Sequence, residues 1–472
     1  MLDLFAGAGG ISLGFQSLGC QLVAALEIDP HAAATHATNF FRDSDVRIRE
    51  RHARPHDITA VEPEDVAAEF SLGPVEDAVD IIVGGPPCQA YARVGRAKLR
   101  EIAAHPQAFK IDPRGNLYLR YLHYVRRMKP LALLMENVPD IMNFGGHNVV
   151  QEVAEALDEM GYEARYSLLN SAFYGVPQMR DRVILLAIRK ELGVIPSFPA
   201  PIRHMELPSG YAGTRAVAFK FLDSRDETAA FVDAPVDEAA PFSVTAAEAL
   251  GDLPPITLHL EGKLKRGAQR LDKLIPYDAG RPISAYGKLM RSWRGFENEE
   301  GLFDHVIRCL PRDGEIFKLM PAGAEYPAAH RVATALFEAE ARRREKQLGK
   351  RLTASERTEL HRTIVPPYPV GSFPNRWWKL RSDFPSRTLM AHIGKDTYSH
   401  IHYDSNQARV ISVREAARLQ SFPDGFRFQG TMNPAYRQIG NAVPPLFARA
   451  MGEALLASLS DTVGCSIAAA AE

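Results

Sequence analysis

The most specific chemical signal in the chain is a cysteine placed directly after an apolar strand. Val79–Val83 predicts a buried strand, and Gly84-Gly-Pro-Pro-Cys-Gln89 follows it. Because two prolines restrict the backbone before Cys88, we expect its thiol on a rigid, accessible loop. An accessible cysteine whose thiolate is favoured can act as a nucleophile. A lone cysteine is more often a small buried apolar residue, but the strand already supplies such residues, so we interpret Cys88 as functional.

Two further strand ends carry groups that could bind a heterocyclic base. Glu136 follows the apolar strand Leu131–Met135, and a carboxyl group that is partly removed from water there could keep a proton and donate it to a ring nitrogen. Arg180 and Arg182 precede the strand Val183–Ile188, and alternation places both on the same side. Arginine pairs bind phosphate or carbonyl oxygens. A solvated strand end and a surface ion pair are the structural alternatives.

A glycine-rich segment predicts a cofactor site. Asp3-Leu-Phe-Ala-Gly-Ala-Gly-Gly10 follows a short strand and opens a helix, and Glu27 ends the next strand. Glycines let a ligand approach the backbone there, and an acidic residue about 20 positions later can accept hydrogen bonds from ribose hydroxyls. The glycine spacing departs from GxGxxG, so we favour an adenosine-containing cofactor over a nicotinamide; a tight turn without ligand is the alternative. Asp57 could face an adenine amino group or cap a helix.

The elements that position these residues alternate between apolar strands and amphipathic helices over the first 190 residues. This alternation predicts an α/β fold with a parallel sheet covered by helices on both faces. Prolines from position 196 onwards mark a boundary. We therefore expect a catalytic and cofactor-binding domain over 1–195, an insert over 196–378 and a return segment over 379–472. The final helix, near Pro445–Leu459, should rejoin the first domain.

Composition excludes several classes of protein. Hydrophobic residues make up 46% of the 472 residues, too many for a disordered chain, and the net charge of −1 gives no global attraction to a polyanion. Any nucleic acid must therefore be held locally, and residues 261–294 carry nine Lys/Arg against three Asp/Glu. Four cysteines without a CxxC pair argue against a zinc ribbon and suit a reducing compartment. The uncharged stretch 4–26 is glycine-rich, so we predict no membrane span.

The chain resembles the bacterial DNA (cytosine-5) methyltransferase family. The resemblance covers residues 1–190 and about 377–460, and 413–423 is also similar to the family's C-terminal part. The segments that carry it follow the family's order: Asp3–Gly10, Glu27, Asp57, Gly85–Gln89, Glu136–Val138, Gln178–Arg182, Arg387-Thr388 and Gln438–Asn441. Two features depart from the pattern: the first strand has almost no residues before Asp3, and the recognition insert is long and matches no known target site.

The resemblance implies a Rossmann-like, S-adenosylmethionine-dependent methyltransferase fold, with a mostly parallel sheet and a smaller target-recognition domain. It implies that Cys88 is the nucleophile and that Glu136 and Arg182 contact the target cytosine. The residues implied to bind S-adenosylmethionine, with no metal, are Phe5, Gly7, Gly9, Glu27, Asp57, Leu117 and Asn441.

The implied reaction is methyl transfer to carbon 5 of a cytosine that is flipped out of a specific double-stranded DNA sequence, through a covalent Cys88 adduct. The implied setting is cytoplasmic restriction–modification, by a monomer, with a possible separate endonuclease. An RNA methyltransferase with the same site and a non-catalytic DNA-binding protein on the same fold are the alternatives. Intact Cys88, Glu136 and Arg182 argue against the non-catalytic reading.

Within the insert, Arg291, Trp293 and Arg294 are candidate DNA contacts. Core packing is the alternative that we favour for Trp293, as for Trp377 and Trp378. A charged helix over 331–362 is predicted, and we interpret its charges as a solvated face.

Overall fold

The computed structural model describes residues 1–87, 117–222, 230–264, 271–371, 376–394 and 398–463. Cys88 therefore lies outside the described residues. The chain forms two compact units, one made of Met1–Ser243 with Ala442–Glu472 and the other of Val244–Asn441. Each is described by itself.

The first unit is built on a six-stranded sheet with the strand order β2-β1-β3-β4-β6-β5. The strands are β1 Leu2–Leu4, β2 Ala24–Leu26, β3 Ile81–Gly84, β4 Ala132–Asn137, β5 Tyr162–Asn170 and β6 Asp181–Arg189. Neighbouring pairs among β1 to β4 are parallel, whereas β6 runs antiparallel to both β4 and β5. The sheet is mostly parallel, as predicted, with one reversed strand.

Alternate residues of the central strands β3 and β4 enter two different cores, which explains why these strands are apolar on both faces. Leu133 and Met135 of β4 belong to one core, whereas Ala132 and Leu134 belong to the other. Helices cover both faces, as the sequence predicted. The helices of this unit are Gly10–Gln16, Pro30–Phe40, Val46–His52, Pro63–Glu69, Leu117–Met128, Val149–Glu159, Ser209–Ala218 and Pro445–Val463.

The final helix packs closely on the first. Phe15 and Phe447 are fully buried in the same core. A Cβ built on Gly14 would lie 2.6 Å from the backbone nitrogen of Arg449 and 2.8 Å from the carbonyl oxygen of Pro445. The last helix thus completes the core beneath the glycine-rich segment.

The boundary between the units lies later than the predicted position at 196. The segment after the prolines stays on the sheet unit: the Tyr211 hydroxyl donates to the Met179 carbonyl, and Arg215 pairs with Asp181. Ser243, the last residue before the boundary, donates to the Ala172 carbonyl. Prolines mark irregular backbone, but these side-chain contacts keep 196–243 with the first unit.

The second unit is mainly helical, with a two-stranded sheet of β7 Ile275–Pro276 and β8 Gly301–Leu302. Its helices are Ala246–Leu250, Ala285–Arg291, Gly314–Leu319, Tyr326–Leu348, Ala354–Ile364, Val413–Leu419 and Met432–Asn441. The predicted charged helix over 331–362 is two helices, because Gly349 ends the first with φ of 67°. This left-handed backbone suits glycine and reverses the chain.

Two of the three candidate DNA contacts in this unit make contacts within the unit. Trp293 is 3% exposed, so it is a core residue, as are Trp377 and Trp378. Arg291 donates to Asp252 and stacks over the Tyr277 ring at 3.5 Å. Arg294 alone is exposed.

Close approach at Gly14 makes the final helix sensitive to one methyl group. We expect Gly14→Ala to lower the free energy of unfolding by about 1–3 kcal/mol, because the neighbouring atoms are backbone and cannot move aside. Gly213→Ala, in the middle of the helix Ser209–Ala218, is the control, because no described atom lies within 4 Å of its Cβ position. It should be neutral or stabilising. Thermal unfolding of both variants checks this, and equal midpoints would contradict the packing.

Candidate active site at the carboxyl edge of the sheet

The carboxyl ends of the parallel strands bring the predicted functional segments to one edge of the sheet. The loop Phe5–Gly10 follows β1, Glu27 follows β2, Gly85 follows β3 and Glu136 is the second-last residue of β4. In open parallel sheets, ligands bind beyond this edge. The structure thus brings together segments that are up to 130 residues apart.

Glu136 and Arg182 form a buried pair at this edge. Nε of Arg182 lies 2.6 Å from Oε1 of Glu136, and the side chains are 10% and 11% exposed. Glu136 is in register with Ile184, so Arg182 is its diagonal neighbour on the same face. The two side chains attract each other electrostatically at this distance, but their geometry is not that of a hydrogen bond. Oε1 of Glu136 accepts no hydrogen bond from the described residues. Oε1 therefore keeps its hydrogen-bonding capacity for a bound group.

A second arginine adds to the charge of this pair. Arg180 is 1% exposed and interacts electrostatically with both Arg182 and Glu136. Two cations and one carboxylate leave a net positive charge in a region removed from water. Such a region stabilises a carbonyl oxygen or a nearby anion.

The chain that leads to Cys88 is held directly against Glu136. Asn137 donates from Nδ2 to the Pro86 carbonyl at 2.8 Å. A Cβ built on Gly85 would lie 3.0 Å from Oε2 of Glu136, so a larger residue there would press on the carboxylate. Cys88 itself is outside the described residues and follows Gly85 by three positions in the sequence.

Glu27 connects two parts of the predicted cofactor site. Its carboxylate accepts hydrogen bonds from the backbone N–H of Gly7 at 2.8 Å and of Asp29 at 2.7 Å. Burial raises the pKa of Glu27 above its ordinary value, and these two N–H groups oppose part of that effect. Each oxygen uses one lone pair in this way, so acceptor capacity remains for ribose hydroxyls.

The glycine-rich loop has room for a ligand on one side only. No described atom lies within 4 Å of a Cβ built on Gly7, whereas a Cβ on Gly9 would lie 2.9 Å from the His36 ring. Gly9 has φ of 94°, which a larger residue rarely adopts. An open loop beside a carboxylate acceptor fits the adenosine part of S-adenosylmethionine.

Asp57 lies beside Glu27 and does not cap a helix. The His56 N–H donates to the Glu27 carbonyl at 2.7 Å, so the segment is attached to the end of β2. Asp57 is exposed, and its Oδ1 accepts from the Thr59 N–H and hydroxyl in a tight turn. The following helix begins at Pro63. Oδ2 of Asp57 takes no part in these turn hydrogen bonds, so it is a suitable acceptor for an adenine amino group.

The three other predicted cofactor residues occupy different positions. Phe5 turns the chain out of β1 with φ of 59° and is half-buried. Leu117 begins the helix Leu117–Met128 and packs partly against the core. Asn441 is the exposed last residue of the second unit. Two residues later, Val443 packs on Gly10.

A buried polar network beneath the glycine loop was not predicted from the sequence. The Ser12 hydroxyl donates to Oδ2 of Asp3 at 2.6 Å and lies 3.1 Å from Nε2 of His36. All three side chains are at most 1% exposed. Burial raises the pKa of Asp3 to about 7, and burial lowers the pKa of His36 to about 3. The sequence offered one indication of this network, because Asp3 is a charged residue within an apolar run that predicts a buried strand.

No helix in the described part of the chain is long and apolar enough to cross a bilayer. Among these same residues, no group of three or more His, Cys, Asp or Glu side chains is arranged to hold a metal ion.

Comparison with known proteins identifies the class of this fold and site. The chain is 37% identical over 464 residues to a protein of Oceanobacillus iheyensis named as a candidate type II methyltransferase, covering 96% of this chain and 95% of the relative. It is 28% identical to the type II methyltransferase M.AgeI of Thalassovita gelatinovora, covering 97% and 99%. A solved E. coli prophage protein, described as a candidate DNA modification methyltransferase, shares the fold with a TM-score of 0.59 at 21% identity, covering 97% and 99%.

The family model for C-5 cytosine-specific DNA methylases matches residues 1–457. The chain therefore belongs to this family and is a DNA (cytosine-5-)-methyltransferase, as the resemblance implied. The family uses S-adenosylmethionine as its methyl donor and DNA as its substrate.

Burial of Asp3 makes stability depend on pH in a specific direction. With its pKa raised to about 7, the folded protein keeps a proton that the unfolded chain loses near pH 4. Asp3 therefore lowers the free energy of unfolding progressively as the pH rises from about 4 to 7, by at most about 1.4 kcal/mol per pH unit.

Asp3→Asn should remove this dependence. We expect the variant to gain stability relative to the wild type as the pH rises from 4 to 7, with a constant difference above about pH 8. Thermal unfolding of both proteins across this range is the measurement. A difference that stays constant from pH 4 to 8 would show that Asp3 does not hold a proton in the folded state.

Proposed function

We propose that Cys88, Glu136 and Arg182 together methylate carbon 5 of a cytosine flipped out of a specific DNA sequence. The observation that carries the proposal is the buried Glu136–Arg182 pair, 2.6 Å apart, against the Gly85 backbone that leads to Cys88. A nucleophile, a carboxyl group and a guanidinium thus follow neighbouring strand ends. This combination suits addition to a pyrimidine ring.

The first chemical step is addition of the Cys88 thiolate to carbon 6. A carbon–sulfur bond forms at carbon 6, the electron pair of the 5,6 double bond moves to form a 4,5 double bond, and the pair of the 3,4 double bond moves to ring nitrogen 3. Glu136, in its protonated form, donates a proton to that nitrogen, so that carbon 5 becomes nucleophilic as in an enamine. Arg182 binds the carbonyl oxygen at position 2, and the nearby charge of Arg180 supports it. The net positive charge of this group favours the thiolate.

The second step restores the aromatic ring. Bound S-adenosylmethionine would supply the methyl group, and the electron pair of the broken carbon–sulfur bond would stay on its sulfur, which leaves as a neutral thioether. After carbon 5 has gained this methyl group, a base removes the carbon-5 proton, the 5,6 double bond re-forms, nitrogen 3 returns its proton to Glu136 and the Cys88 thiolate leaves. Water can serve as that base. Cys88 is thereby regenerated with its electron pair.

The cofactor is held by residues at the edge near β1 and β2. We propose that Glu27 accepts the ribose hydroxyls and Asp57 the adenine amino group, while Gly7 and Gly9 allow the backbone to approach. Phe5 and Leu117 also line the pocket in this proposal, and the family resemblance alone implies a role in cofactor binding for Asn441. The open space at Gly7 and the remaining acceptor capacity of Glu27 support it.

DNA recognition is assigned to the second unit, Val244–Asn441. Carbon 6 is inaccessible inside a stacked duplex, so the target base must leave the helix, which costs a few kcal/mol. We further propose that the enzyme acts as a monomer in the bacterial cytoplasm and protects host DNA against a separate endonuclease. The type II names of its relatives support this setting. RNA methylation and non-catalytic DNA binding are the alternatives that the experiment below tests.

Removing the nucleophile should separate catalysis from binding. We expect Cys88→Ala to abolish 5-methylcytosine formation in a bacterial host that lacks cytosine methylation, while the purified variant still binds S-adenosylmethionine in calorimetry. Glu136→Gln should slow methyl transfer by roughly 10²–10⁴-fold, since general acid help is lost. Cys20→Ala is the matched control, because this half-buried thiol packs against the core near the Met1 amino group, at the amino end of β1 and away from the carboxyl ends of the strands.

A genome-wide methylation map reads out all variants together. Methylation at one short sequence with the wild type and Cys20→Ala, but not with Cys88→Ala, is the expected result. Methylation that persists without Cys88 would refute the covalent mechanism. Methylated RNA together with unmodified DNA would show that RNA, and not DNA, is the substrate. No methylation by folded wild-type protein would favour a non-catalytic DNA-binding protein.

A further inference from the structure

One helix of the second unit presents an exposed face that contains only cations and alanine. The face consists of Arg331, Ala335, Ala339, Arg342 and Lys346 on the helix Tyr326–Leu348, and we call it the cationic face. The spacings of four, four, three and four residues place them on the same side of the helix. All five residues are exposed.

Packing fixes which way this face points. The opposite side of the helix carries Tyr326, Ala329, Ala333, Phe337 and Ala341, which are at most 6% exposed and belong to one hydrophobic core. The helix cannot rotate about its axis without exposing this core. The cationic face is therefore held towards solvent by the fold of the unit.

The carboxylates of the same helix are bound on its flanks. Glu340 pairs with Arg343 and Arg344, and Glu338 pairs with Arg357 of the next helix. Glu345 accepts a hydrogen bond from the Leu352 N–H. No acidic residue is among the five residues of the cationic face, and Glu338, which lies one turn before Arg342, is paired with Arg357.

The three cations of the face have no ion-pair or hydrogen-bond partner among the described residues. Arg331, Arg342 and Lys346 thus differ from Arg343 and Arg344, which share Glu340. Helix-dipole stabilisation favours cations near Leu348 but acts only within the last turn, so it does not account for Arg331 in the second turn.

We propose that the cationic face binds DNA backbone phosphates, an inference that rests on the proposed function. Arg331 and Lys346 are about 22 Å apart along the helix, and each DNA strand carries a phosphate about every 3.4 Å, so the face matches about six phosphates. Exposed alanines let the backbone approach closely.

The composition of the face distinguishes DNA from other partners. Protein interfaces are rich in aromatic residues, and membrane-surface helices need large apolar side chains. The face has neither. Contacts with phosphates carry no sequence information, so this face contributes affinity and position while other parts of the unit read the target.

Salt dependence of DNA binding tests the proposal. The variant Arg342→Gln/Lys346→Gln removes two charges from the face, and Arg343→Gln/Arg344→Gln removes the same two charges from the same helix turn but from ion-paired residues. The dissociation constant of the full-length protein for a fluorescent 30-base-pair duplex is measured between 50 and 300 mM NaCl.

We expect the first variant to reduce the slope of log K against log[NaCl] by about 2, and to weaken binding at 100 mM by roughly 10- to 60-fold. The control should change the slope by less than half of that amount. Equal effects of the two variants, or no effect of either, would overturn the proposal. Thermal unfolding checks that both remain folded.

A parallel methylation assay keeps this test separate from the proposed function. If the wild type binds the duplex but methylates no cytosine, the proposed function fails, and the slopes still decide whether the face binds phosphates. If the wild type methylates the duplex and the slopes are equal, only the phosphate-binding face is wrong. Stronger binding to anionic vesicles than to DNA would overturn the proposal and identify a lipid surface as the partner of the cationic face.

Discussion

The site depends on the reversal of a single strand. In a fully parallel sheet, a residue at the start of one strand lies at the opposite edge from a residue at the end of its neighbour. Because β6 runs antiparallel to β4, Arg182 at its beginning meets Glu136 at the end of β4. The guanidinium thereby reaches the edge where β1, β2 and β3 present the predicted cofactor loop and the segment before Cys88.

Much of the fold and part of the site could be predicted because short-range patterns determine them. Apolar runs predicted the strands of the sheet, and the candidate site residues were predicted from the glycines and polar residues beside the runs of β1, β2, β3, β4 and β6. Strand direction was not predictable for β6, since its apolar run looks the same in either orientation. The unit boundary also escaped prediction, because contacts such as Tyr211 with Met179 connect distant segments and leave no local pattern.

The 413–423 segment shows that a family-like motif can be structural. Arg414 donates to Asp304 at 2.6 Å, and Arg418 binds both Asp424 and Asp252. The two arginines are fully buried. Removing one partner of a buried pair costs about 3–5 kcal/mol because the other charge stays without compensation. These residues therefore hold the second unit together and need no role in the reaction.

Pairing between arginines and carboxylates also explains how a chain of nearly zero net charge can bind a polyanion. Acidic and basic residues are almost equal in number, but some regions of the structure contain more ion pairs than others. In the second unit, carboxylates such as Asp252 and Glu340 are neutralised by arginines within the unit. Among the cations of this unit without such a partner, Arg331, Arg342 and Lys346 lie together on one exposed helix face. Pairing of the carboxylates thus produces a local positive surface that composition alone does not reveal.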